Sequence, residues 1–155
     1  MTTAYALEIL KITRNNIQNT FDGLSIEELN RIPEGFNNNL IWNFGHVVAT
    51  QQLLCYGLSG NKTFVSAEII DAYRKGTKPT GFVSEETYKE LIELSEAALN
   101  QMEKDYASSL FKEYKSYATS YGTTLSDIEE AIMFNNVHEG LHFGYCIALK
   151  KVILG

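Results

Sequence analysis

Residues 126–154 read SDIEEAIMFNNVHEGLHFGYCIALKKVIL, a proline-free run that holds two of the chain's three histidines. Its periodicity predicts a helix from Ser126 to Leu154, opened by a capping box at Ser126-Asp127-Ile128-Glu129. At about 100° and 1.5 Å per residue, His138 and His142 project from one face, roughly 6 Å apart along the axis. Two imidazole nitrogens at that spacing can reach one cation at roughly 2.0–2.1 Å each. The apolar line of the helix runs Ile128, Ile132, Asn135, His138, His142, Tyr145, Leu149 and Val152, which puts both histidines on the side expected to face the core. A buried neutral imidazole has a donor and an acceptor to satisfy, and a metal satisfies the acceptors.

Working outward, the third histidine, His46, lies in a second apolar helical stretch over 38–56, capped by one of Asn37, Asn38 or Asn39. The reading is that the fold carries His46 up to the His138/His142 face and that the three bind a divalent metal. Asn43, Asn135 and Tyr145 project near enough to hydrogen-bond the outer ring nitrogens. Glu139, about 80° off the midpoint of the pair, is a flanking candidate for the same role. Cys146, one turn past His142, has no cationic neighbour in the sequence that would favour its thiolate.

Two further helices follow from the pattern. One spans 3–21, with Leu7, Leu10, Ile17 and Phe21 on its stripe and Gly23 ending it. The other spans 84–106, with Tyr88, Leu91, Ile92, Ser95, Leu99, Met102 and Tyr106 inward. Ser25 to Glu28 forms a capping box on a short turn. Residues 58–83 form a long connection with one short helix over 66–74, and 107–122 reads as loop. Four amphipathic helices must bury four stripes against one another, so the expected fold is all-α, a four-helix bundle in one domain over 1–155. The long connection leaves the helices on either side of it parallel.

Composition narrows the function. The chain has 155 residues, 45% hydrophobic and 21% charged, with a net charge of −6. No basic stripe exists, which argues against nucleic acid, and no run reaches the length of a membrane span. The first sixteen residues lack the architecture of a secretory signal, so the expectation is a cytoplasmic protein without a membrane partner. Two cysteines, Cys55 and Cys146, are too few for a disulfide scaffold and read as buried thiols, roughly 20 Å apart if their helices run antiparallel.

His138-Glu139-x-x-His142 also matches the metalloprotease string H-E-x-x-H. Only thirteen residues follow His142, none of them His, Glu or Asp, so the third protease ligand is missing. The extended form would need Gly and His where Tyr145 and Ala148 stand. The protease reading is set aside.

Two motifs carry a resemblance that spans nearly the whole chain. Ile32-Pro33-Glu34-Gly35 runs into Asn39-Leu40-Ile41-Trp42-Asn43-Phe44-Gly45-His46, and Thr124-Leu125-Ser126-Asp127 leads to His138-Glu139-Gly140-Leu141-His142-Phe143-Gly144. Both resemble the DinB/YfiT-like family. The resemblance implies an up-down-down-up four-helix bundle with its long crossover between the second and third helices. It further implies a zinc or nickel ion on one His of helix two and the paired His of helix four, and homodimers. Relatives include enzymes that use low-molecular-weight thiols, which makes thiol transfer to an electrophilic small molecule the expected activity and hydrolysis a related one. Many members follow the second His with Arg-Gly-Gln; Phe143-Gly144-Tyr145 stands here instead, so no role of that Arg or Gln carries over. Catalytic residues beyond a metal-held water or thiolate are not assigned. Two alternatives stay open, a bundle whose metal only staples helices two and four, and a metal-free bundle that binds a small ligand. Phe134, Val137, Leu141 and Ala148 mark a second apolar face of the last helix, suited to a dimer contact or to core.

Overall fold

The computed structural model describes residues 2–155 and contains four long helices. These are α1 (Thr3–Thr20), α3 (Leu40–Gln52), α5 (Glu85–Ala107) and α6 (Ile128–Leu154). Short helices α2 (Ile26–Asn30) and α4 (Ala67–Tyr73) sit in the connections, and Tyr117–Ala118 and Thr124–Leu125 pair as a small antiparallel hairpin, β1 and β2. Six helix starts carry Ser, Thr, Asn or Asp caps that bond orphan amide donors: Thr2, Ser25, Asn39, Ser66, Ser84 and Asp127. The capping box at Ser25 and Glu28 is complete in both directions.

The last helix starts one position later than its sequence signal indicated. Asp127, not Ser126, is the cap, accepting from the Glu130 amide, while the Glu130 carboxylate accepts from the Ser126 amide. The Asp127 carboxylate takes the cap by accepting from the amide three residues on, and Glu130 reaches past the cap to the amide before it, so the reciprocal box is not closed here.

Side-chain bonds between helices fix their directions. Ala6 bonds Asn136, Arg14 bonds Glu139 and Asp22 bonds Lys150, so α1 and α6 run parallel. Asn38 pairs with Tyr145, Asn43 with His142 and Cys55 with Asn135, so α3 runs antiparallel to α6. Gln51 meets Met102 and Tyr56 meets Asp105, so α5 follows α3. The order is up-down-down-up, with the crossover over residues 58–84.

At the end of α3 the chain widens into one π-helical turn, Leu53–Gly57. Such turns insert a residue and shift the side chains that follow. Apolar residues of α1, α3, α5 and α6 fill the core, including Leu10, Ile17, Phe44, Val47, Leu99, Met102, Ile132 and Leu149. Among the described residues no helix is long and apolar enough to cross a membrane.

The buried line of α6 differs from the line read in the sequence. It runs Ile128, Ile132, Asn135, Glu139, Cys146, Leu149 and Ile153, while Tyr145 and Val152 are exposed. On a 100° wheel its centre lies about 50° round from the His138/His142 midpoint, toward Glu139. The histidines therefore stand at the border of the core, half-buried, where a site can meet solvent.

Candidate metal centre

His46 reaches the centre because of the residue before it. A Cβ at position 45 would run into the Tyr73 ring, so glycine lets the end of α4 lie directly on α3. That approach brings the Tyr73 carbonyl to 2.7 Å from His46 Nδ1. A carbonyl only accepts, so Nδ1 carries the proton and Nε2 is the acceptor nitrogen. Trp42, one turn earlier, stacks on the His46 ring at 4.8 Å and 11°, and its Nε1 donates to Thr77. Thr50, one turn later, places its hydroxyl 3.3 Å from His46 Nε2. His46 is thus locked in tautomer and in plane.

His142 is oriented by the same logic. Asn43 Nδ2 donates to the Asn39 carbonyl and to Asn38 Oδ1, which leaves Asn43 Oδ1 as the acceptor for His142 Nδ1 at 2.9 Å. The proton again sits on Nδ1, and Nε2 is the free nitrogen. His138, one turn below, has its Nδ1 buried without any protein partner. Asn135 and Asn136 each leave a buried Oδ1 unpartnered close by on the same helix.

The three rings converge. Their centroids lie 5.2 Å apart for His46–His138, 4.9 Å for His46–His142 and 4.6 Å for His138–His142. One ligand atom from each falls within 4.8 Å of the others. Nitrogens on a tetrahedral ion stand roughly 3.3 Å apart, so small ring rotations close the remainder. Burial, followed by repulsion from His142, His46 and Arg14, pushes His138 down to about 3. Burial and the neighbouring His46 push His142 down to about 4, and His46 is lowered chiefly by burial. All three are neutral at pH 7, the form that ligates metal. An orphaned buried ring nitrogen, two pre-set tautomers and three neutral imidazoles fit a divalent cation.

Of the other residues singled out in the sequence, Asn43 touches a histidine and the rest do not. Asn135 turns to Cys55 Sγ and its own helix, and the Tyr145 hydroxyl donates to Asn38. Glu139 is fully buried rather than flanking, and its carboxylate accepts from Nε and Nη2 of Arg14. Arg14 was absent from the sequence reading, although its place midway between Leu10 and Ile17 on the α1 stripe was a visible signal. The Tyr73 carbonyl was also missed, because a backbone acceptor leaves no mark in the residue types. Cys55 and Cys146 are free thiols in separate parts of the core.

An up-down-down-up bundle that joins one histidine of its second long helix to an i,i+4 pair on its fourth defines a class, the helical bundles with a three-histidine cluster. The match of residues 9–146 to the DinB superfamily model makes the assignment specific, and the chain belongs to that superfamily. No curated protein matches the sequence.

Proposed function

We propose that His46, His138 and His142 hold a divalent ion, zinc or nickel, and that the protein is a metal-dependent enzyme. In our reading it transfers a low-molecular-weight thiol to an electrophilic small molecule, with hydrolysis as the related activity. The observation that carries the proposal is the convergence of three neutral imidazoles with one buried nitrogen left unpartnered. When bound, the ion would supply Lewis acidity that lowers the pKa of a thiol or water beside it.

The chain's own residues do the rest. The Tyr73 carbonyl and Asn43 hold the His46 and His142 protons on Nδ1 and keep the lone pairs directed inward. Three protein ligands leave a four-coordinate ion one position for a reactant, which favours catalysis over a structural staple. A cavity of about 420 Å³, walled in part by His46 and His138, would admit a reactant to an ion held there. The reading places the protein in the cytoplasm, where small thiols stay reduced. It also takes the protein as a homodimer through the outer face of α6, where Val137 and Leu141 are 42% and 57% exposed.

The test is elemental analysis of gently purified protein beside His142→Ala, followed by turnover of chlorodinitrobenzene with a panel of small thiols. The expected result is one zinc or nickel per chain in the parent, loss of that stoichiometry in the variant, and thiol consumption that follows metal content. Full metal retention by His142→Ala would remove the site. Metal without turnover of any thiol, or of ester substrates, would leave the staple.

A further inference from the structure

The cavity beside the histidines has a composition of its own. Its apolar wall comes from Leu53, Leu54, Leu58 and Phe134, and its far rim from the hairpin residues Tyr117, Thr119 and Ser120. The π turn matters here, because it presents Leu53, Leu54 and Gly57 to one space. One charged residue lines the cavity, Lys75, and no carboxylate does. Among the described residues Lys75 forms no ion pair.

Chain anchors on both sides hold Lys75 at the histidine end of this space. Two residues earlier the Tyr73 carbonyl accepts from His46 Nδ1, and two residues later the Thr77 hydroxyl accepts from Trp42 Nε1. Two residues of backbone span about 7 Å at most, so the Lys75 backbone stays near His46. In a chain of net charge −6, an unpaired ammonium at an apolar cavity is a local attractor for an anion.

We propose that this cavity binds a small organic carboxylate, its apolar tail along Leu53, Leu54, Leu58 and Phe134 and its carboxylate on Lys75, so that the reacting atom lies within a few bonds of the carboxylate. The position of that atom rests on the metal reading above; the binding of the carboxylate does not. A volume of about 420 Å³ lies in the range for small-ligand sites and matches a chain of medium length.

Octanoate, octanol and octylammonium serve as probes, titrated into the full chain in zinc-loaded and metal-free form and followed by the methyl resonances of Leu53 and Leu58. The expected result is that octanoate binds tightest and moves those methyls. Lys75→Met, a change at an exposed side chain, should weaken octanoate at least tenfold and leave octanol unchanged. Equal binding of the three probes, indifference of octanoate to Lys75→Met, or shifts confined to another part of the chain would each overturn the proposal. Cobalt(II) uptake, read from its visible absorption, separates the two claims. Cobalt uptake without Lys75-dependent binding sinks the carboxylate site alone, and Lys75-dependent binding without cobalt uptake sinks the metal centre alone.

Discussion

His138 and Glu139 are chain neighbours on α6, yet they serve two buried polar clusters of opposite character. The Glu139 cluster is closed. Arg14 of α1 gives Nε and Nη2 to Glu139 of α6, Nη1 to Ser95 of α5 and Nη2 to the Val47 carbonyl of α3, so one guanidinium joins all four long helices. The His138 cluster is open, with one ring nitrogen bonded to nothing in the chain. A polar group that the fold satisfies by itself belongs to the scaffold, and one that it leaves unsatisfied in a shaped site points to a ligand. Glu139 lies next to a histidine in the sequence and still belongs to the scaffold.

This contrast can be broken from either side. The largest effect is expected at the ion pair. Arg14→Met strands a buried carboxylate, whose affinity for a proton burial already raises, and should cost about 3–5 kcal/mol in urea unfolding. Arg14→Met combined with Glu139→Leu should recover most of that loss and still take up metal. A double variant that folds but binds no metal would tie the two clusters together.

Next in size is Asn43→Ala, which frees His142 Nδ1 and should weaken metal binding about 10–100-fold, with about 1–3 kcal/mol lost in unfolding from its other buried bonds. Competition with a chromophoric chelator measures it. Gly45→Ala then opposes two terms. Alanine is the better helix former by about 1 kcal/mol, but its methyl meets the Tyr73 ring, an overpacking worth about 1–3 kcal/mol. Net destabilisation is expected, with weaker metal binding because the Tyr73 carbonyl moves off His46. A more stable Gly45→Ala with unchanged metal affinity would contradict the packing account.

A separate test is the pH slope of the metal-free protein. His138 near 3 and His142 near 4 lie below the usual 6.5, so below pH 6.5 the unfolded chain binds more protons than the folded one. The neutral rings' contribution is complete above pH 6.5 and is lost as pH falls toward those values, by up to about 1.4 kcal/mol per unit for each ring. His138→Gln should flatten the decline in urea midpoint between pH 7 and pH 5; an equally steep decline would assign it to other groups.

Much of this was legible in the sequence where the signals are local. Helix ranges followed from periodicity, the cap at Ser25 from its partner three residues on, and the up-down-down-up order from a resemblance carried by the two histidine motifs. The rotation of α6 was misjudged because Glu139 was read as a flank of the histidine pair and not as part of the buried line. Its partner Arg14 is 125 positions away in the chain, and no spacing rule links them. The hairpin eluded the reading since two residues per strand hold no alternation, and the π turn because nothing in Leu53–Gly57 distinguishes it from α-helix. What periodicity cannot encode is which distant group answers a buried charge.

The burial of Cys55 and Cys146 has its own consequence. Both sulfurs are sealed from solvent, and burial pushes each up to about 12, so neither offers appreciable thiolate at neutral pH. On the thiol-transfer reading proposed above, an accessible thiolate of the chain's own would be alkylated by the substrate. Both thiols are protonated and out of reach, so a folded sample treated with iodoacetamide should keep its mass until denaturant is added.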